Sequence, residues 1–352
     1  MNPPTAGTAL RSGITATLLL VLASCGGEPS APDEDIAAVQ LRPHQLVHIA
    51  VGDTLRLFLS AQNARGNVAS IRSPDFSMRW SGGGAGDVDA LLLHAAQVPS
   101  SDWLVVETKS GARDSVYVVT YRPEGAFHIT LQFADDIPER WRAKLSWAAD
   151  RWEQTVAGEL PAVTLASAGG DCPTVPDEPA SPAQTGVETG MRIYIGQSGN
   201  YPPGTYVEAT GGPCVSRPLP APTTIIGHII LNRDKPIDGI DDVRLTYLAL
   251  HEMGHTLGLV GVVQGVQPPW FDRDSGTYTG AMALEGWRRL FGNGPTSLHV
   301  DGGAHWKSDP LYDIMSAGGG GPGITGPISL ATVGALMDLG YPATWSGAGI
   351  IQ

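Results

Sequence analysis

Between Ala38 and Tyr121, apolar and polar positions alternate in short runs. Val39-Gln40-Leu41 and Leu46-Val47-His48-Ile49 alternate, and Thr54 to Leu59 (TLRLFL) follows a Val-Gly-Asp turn. Asn63 to Asn67 (NARGN) interrupts the pattern, which resumes at Trp80, Val88 to His94, Trp103 to Thr108 and Ser115 to Thr120. Short strands at short intervals, separated by turn residues, predict an all-β sandwich over residues 38–122. Past Phe127 the period changes. His128 to Phe133 (HITLQF) reads as a strand, and Pro138 to Thr155 as an amphipathic helix. Trp141, Leu145, Ala148, Ala149 and Trp152 fall on or near one face of that helix. Pro138 stands near its start, where a missing N–H costs little. Met191 to Ile195 and Thr224 to Asn232 read as strands, and a long helix begins near Val243 after the acidic loop Arg233 to Asp242. The pattern therefore predicts a multi-domain chain, with an all-β sandwich followed by an α+β unit over residues 127–345.

Composition narrows the function classes. The chain has 352 residues, of which 42% are apolar and 16% charged, with 45 glycines, 28 prolines and a formal net charge of -13. Its few basic residues are scattered, which argues against a nucleic-acid partner. The first residues read as a targeting segment. Arg11 supplies positive charge, and Ile14 to Ala23 form an apolar stretch too short to span a bilayer. Leu22-Ala23-Ser24-Cys25 then resembles a bacterial lipobox. That resemblance implies a lipoprotein signal over 1–24, lipidation at Cys25, and a chain exported and then anchored to a bacterial membrane or surface. An ordinary signal peptide and a secreted chain are the alternative. Gly26 to Asp35 (GGEPSAPDED) can bury nothing, so 25–37 reads as a flexible tether. Cys172 and Cys214 remain. In an oxidising compartment they can pair, closing a loop of about forty residues worth a few kcal/mol; two buried thiols are the alternative.

The chemistry concentrates at Leu245 to Leu259 (LTYLALHEMGHTLGL). On a helix, His251 and His255 lie one turn apart and face the same way, so both imidazoles can hold one zinc ion. Glu252 is then placed to act as general base on a water, the arrangement of a zinc metallopeptidase. Gly258 lets the chain turn away afterwards. A catalytic zinc needs a third protein ligand, and the downstream candidates are Asp272, Asp274, Glu285, His299, His305, Asp309 and Asp313. Spacing gives His305 a modest edge over Glu285 and His299. Glu285 would make the chain a glutamate-type zinc hydrolase. A third alternative is a non-catalytic surface adhesion protein with a structural zinc.

From Phe127 to Tyr341 the chain resembles the leishmanolysin family of metzincin peptidases, over about 60% of its length. His251, Glu252, His255 and Gly258 match that family's HExxHxxG, His305-Trp306 matches its third histidine, and Met315 in Asp313-Ile314-Met315-Ser316 matches its methionine turn. Ile328 to Tyr341 resembles its closing helix. The resemblance implies a zincin fold, one catalytic zinc on His251, His255 and His305, and a Met315 thioether lying beneath the imidazoles without ligating. It also implies endopeptidase activity on protein or peptide substrates outside the cytoplasm. Two departures stand out. His305 follows His255 by 50 positions, so residues 260–304 must fold as a subdomain that returns to the metal, and the family's many cysteines are missing. Residues 38–122 loosely resemble bacterial Ig-like modules.

Lesser candidates complete the reading. Asp234, Asp238, Asp241 and Asp242 offer hard oxygen ligands for calcium, against a solvated acidic turn whose spacing matches no EF-hand. His299 reads as a surface histidine and His228 as an ordinary strand residue. Gly318 to Gly321 form either a close cleft wall or a loop tip. Ser316 lacks a recognisable base.

Overall fold

The computed structural model describes residues 36–349, except 43–44, 73–74, 90, 123–125, 169–182, 200, 202–206, 236–238, 261–266, 293, 303, 308–310, 312 and 317–326. The chain separates into Met1–Asp35 and Ile36–Gln352, and all described residues belong to the second unit. Cys25, Cys172, Asp238, Asp309 and Gly318 to Gly321 lie outside the described residues. Among the described residues, no helix is long and apolar enough to cross a membrane.

Ten strands come first: β1 (Ile36–Arg42), β2 (Gln45–Ala50), β3 (Thr54–Arg56), β4 (Phe58–Asn63), β5 (Val68–Ala69), β6 (Phe76–Trp80), β7 (Gly86–Asp89), β8 (Leu92–Ala95), β9 (Ser101–Thr108) and β10 (Arg113–Tyr121). The alternation in the sequence is real. Leu104, Val106, Val116 and Val118 point inward from β9 and β10 and join Leu41, Leu57 and Leu93 in one apolar cluster. The Ig-like sandwich is not formed. The strands divide among three small sheets, ordered β1-β4-β5, β2-β10-β9-β6 and β3-β8-β7, and none closes into the sandwich or barrel an Ig-like domain requires. Alternation reports which face of a strand is buried but not which strand lies beside it. Here β2 pairs with β10 in parallel, and β3 has only three residues, too few to extend a second full sheet.

The remainder is α+β. A four-stranded sheet has the order β11-β14-β16-β15, from β11 (Ile129–Phe133), β14 (Met191–Ser198), β16 (Thr224–Asn232) and β15 (Ala209–Ser216). β11, β14 and β16 run parallel, and β15 is an antiparallel edge. A separate hairpin pairs β12 (Val163–Ala168) with β13 (Gln184–Glu188). The first helix, α1 (Glu139–Glu153), buries the five residues its periodicity predicts, Trp141, Leu145, Ala148, Ala149 and Trp152. α2 (Asp242–Thr256) starts on Asp241, whose side chain accepts from the Arg244 N–H at 2.8 Å, a standard N-cap.

Three contacts fix α2 in place. The Trp152 indole of α1 donates to the Leu250 carbonyl at 3.0 Å. A side chain on Gly211 of β15 would come within 2.2 Å of the Glu252 carbonyl oxygen, so the helix lies directly on the sheet edge. The Tyr341 hydroxyl donates to the Leu257 carbonyl at 3.1 Å, just past the helix end.

After α2, Gly258 turns the chain with φ +89. The chain returns through β17 (Phe271–Asp272), β18 (Thr277–Tyr278), α3 (Ala281–Phe291), β19 (Leu298–Asp301) and β20 (His305–Trp306). These strands form a sheet in the order β17-β18-β19-β20. The last helix, α4 (Leu330–Leu339), is shorter than the 328–341 stretch suggests, because Ser329 caps it and Gly340 ends it in the left-handed conformation. α4 carries Asp338, whose carboxylate accepts the Met282 and Ala283 N–H groups at 2.9 and 3.0 Å. It thereby caps α3 from another element.

Trp152 is fully buried between α1 and α2. Trp152→Ala is expected to lower unfolding stability by about 3–5 kcal/mol, chiefly through lost packing, with a smaller part from the lost indole hydrogen bond. Chemical denaturation measures this; a loss below about 1 kcal/mol would contradict the role given to the α1–α2 contact.

Candidate metal centre

His251 and His255 project from one side of α2, as a spacing of four requires. β20 delivers His305 to the same place, although it lies 50 residues further along the chain than His255. The three Nε2 atoms form a nearly equilateral triangle, with edges of 3.1, 3.2 and 3.3 Å. Zinc–imidazole bonds of about 2.0–2.1 Å at tetrahedral angles separate their nitrogens by about 3.3 Å, so the triangle has the size of one face of a zinc site. Among the described residues, these three side chains form the group able to hold a metal ion.

The protonation states agree with that geometry. Burial lowers the His251 pKa to about 4 and that of His255 well below its ordinary value, while burial also lowers that of His305. At neutral pH all three rings are neutral. His251 Nδ1 donates to the Ile314 carbonyl at 2.6 Å, and the Leu259 backbone bonds the His255 ring. A ring that donates from Nδ1 carries its lone pair on Nε2, which is the atom turned to the triangle. Tyr247 stacks on His251, with ring centroids 5.2 Å apart, and its hydroxyl lies 3.2 Å from the same Nδ1. His251 is buried, whereas His255 and His305 are partly exposed, leaving a solvent-facing side.

Glu252 is 7% exposed. Burial raises its pKa to about 8, opposed by the Gly211 N–H bonded to it and by the Arg244 charge. Arg244 is itself tied to Glu208, with Nη2 at 2.5 Å from the carboxylate.

Met315 is fully buried beneath the helix. A side chain on Gly254 would meet its Sδ at 2.3 Å, so the glycine between the two histidines leaves room for the thioether. Asp313 organises the turn that carries it. Asp313 accepts the Met315 N–H at 2.6 Å, the Ser329 N–H at 2.9 Å and the Thr332 hydroxyl at 2.8 Å. Thr332 in turn accepts the Trp306 indole N–H at 2.9 Å, and the Trp306 N–H donates to the Met315 carbonyl at 2.8 Å. Trp306 is the residue after His305, so the methionine turn and the third histidine share one buried network.

The remaining candidates have other occupations. Glu285 sits in ion pairs with Arg288 and Arg289 at 2.8 and 3.1 Å on the outer face of α3. His299 is exposed on β19. Asp272 accepts the Asp274 N–H and the Ser275 hydroxyl in a surface turn. Of the proposed calcium ligands, Asp241 caps α2, Asp242 pairs with Arg140 and Lys144, and Asp234 accompanies Asn232 in a turn. These bonds tie the Asp241 carboxylate to backbone and that of Asp242 to cations, and among the described residues the aspartates form no metal-ligand group. His228 is a packed strand residue whose pKa burial lowers to about 4, and Cys214 beside it is disulfide-bonded. Ser316 donates to the Leu311 carbonyl at 2.8 Å and serves the turn.

Gly254 and Trp152 were not singled out for the site by sequence, and Tyr247 was read only as part of its apolar surroundings. Gly254 could have been: a residue without a side chain immediately before the second ligand histidine marks a close approach. The link from Asp313 to Trp306 joins residues far apart in sequence and carries no local signal.

Searches against protein-family models and against curated proteins each find no match for this chain. The class of site therefore rests on geometry: three neutral histidines arranged as a metal-binding triad that fits zinc.

Gly254→Ala is expected to cost about 1–3 kcal/mol through collision with the thioether. Combined with Met315→Ala, the two losses should add to less than their sum, because the smaller residue relieves the collision. Denaturation of the two single variants and the double variant measures this coupling, and strict additivity would contradict the contact.

Proposed function

We propose that the chain is a zinc-dependent endopeptidase that hydrolyses peptide bonds of extracytoplasmic proteins. The observation that carries the reading is the triangle of Nε2 atoms, with Glu252 on the same helical turn as two of its corners. His251, His255 and His305 are the ligands. A zinc ion bound there supplies a Lewis acid and lowers the pKa of a coordinated water toward about 7.

Glu252 is the general base. Its burial raises the carboxyl's pKa, which favours holding the proton once it is taken. It removes a proton from the attacking water and delivers it to the departing amine. The N–H from Gly211 orients the carboxyl. Met315 supports the ligands from below and makes no bond to the metal.

The family reading is leishmanolysin-like. It rests on His251 to Gly258, His305-Trp306 and the turn at Met315, and is supported by the network joining Trp306 to that turn. A chain exported and tethered through Cys25, or released, accords with the Leu22 to Cys25 pattern.

Glu252→Gln is expected to lower hydrolysis of an unstructured protein substrate by roughly 10²–10⁴-fold while zinc stays stoichiometric. His305→Ala should lose the metal, and chelation of the wild type should abolish turnover until zinc is restored. Cleavage unchanged in Glu252→Gln would refute the mechanism. Stoichiometric, tightly held zinc in His305→Ala would refute the ligand set.

A further inference from the structure

Arg217 lies just past β15 and is 9% exposed. Its Nε and Nη2 donate to the Pro161 carbonyl at 3.3 and 3.1 Å, and Nη1 donates to the Thr223 hydroxyl at 3.2 Å. A guanidinium has five N–H donors, so these three bonds leave two without an acceptor among the described residues. Both acceptors are neutral. Among the described residues no carboxylate makes an ion pair with Arg217. Glu188, which acts on it through space, is bonded to Arg192 at 2.6 Å. Burial lowers the Arg217 pKa only to about 10, so the group is charged at neutral pH. A buried charge without a counter-charge is costly, and such groups are normally paired.

Arg217 lines a cavity of about 150 Å³. Tyr117 and Val119 of β10 form one wall, and Leu160, Val163 and Ala221 contribute apolar surface from the α+β part. We propose that this cavity binds a short aliphatic carboxylate, with its anionic end on Arg217 and its tail against the apolar walls. One guanidinium balances one negative charge. A phosphate dianion would leave excess charge in an enclosure walled by Val119, Leu160 and Ala221, all of them buried. A planar carboxylate can accept from the remaining Nη1 and Nη2 N–H groups. Because the walls come from β10 and from the segments after it, the ligand bridges the N-terminal strands to the sheet that supports α2.

The probe is propionate, with neutral propionamide of the same shape as control and inorganic phosphate as a third arm. Propionate is expected to raise the unfolding midpoint of the full chain saturably, by a few degrees once well above its dissociation constant. Propionamide and phosphate should leave the midpoint unchanged. Arg217→Lys, which keeps the charge and loses the fork, should weaken propionate binding roughly tenfold. Persistence of the shift in His305→Ala separates this cavity from the histidine cluster. Equal shifts with propionate and propionamide, a shift with phosphate alone, or no shift with propionate would overturn the proposal. So would loss of the propionate shift in His305→Ala. If Arg217→Lys does not fold, the wild-type comparison of propionate with propionamide decides.

Discussion

Three imidazole lone pairs directed at one point repel one another, and much of the architecture holds them there. In the absence of other forces, nitrogens 3.1–3.3 Å apart with no proton between them would separate or one ring would protonate. Both escapes are blocked. Burial disfavours the protonated rings, and the Ile314 carbonyl binds the proton of His251 on the side away from the cluster. A divalent cation would turn the mutual repulsion into three attractive bonds, so the arrangement is one able to hold a metal ion.

Two of the ligands come from one helix and need only that the helix be rigidly placed. The indole of Trp152, the close seat on Gly211 and the Tyr341 hydroxyl do this from three elements. The third ligand is harder, since the chain must leave and return. Its return is secured by pairing of β20 with β19 and by the Asp313–Thr332–Trp306 chain of hydrogen bonds. Burial raises the Asp313 pKa, while its bonds to Ser329, Met315 and Thr332 pull the other way. A buried carboxyl with that many donors is costly to disrupt, which suits a turn that must keep register with a ligand.

The site was more legible than the fold around it. His251 and His255 are separated by one helical turn, and that local rule suffices to bring them together. Spacing alone gave His305 a modest edge over Glu285 and His299, because no local rule spans 50 residues, and the resemblance decided among them; the structure shows Glu285 occupied by Arg288 and Arg289. The face of α1 was readable from period alone. The N-terminal strands were readable singly, yet their pairing was not: the parallel β2–β10 neighbours and the three small sheets depend on contacts that alternation does not encode. The aspartates of 233–242 read better as an acidic turn than as a calcium site, but their partners were not readable. Composition shows that oxygens are near one another in sequence, while Arg140, Lys144 and the α2 N-terminus that engage them are set by tertiary structure.

The central claim is that one metal ion is shared by a helix and a distant strand. X-ray absorption at the zinc edge on the purified chain tests it most directly. The account predicts one zinc per chain, with three imidazole nitrogens at about 2.0–2.1 Å and a lighter oxygen ligand completing the shell. A chain that takes up no zinc, or a shell with two imidazoles or with sulfur, would contradict it.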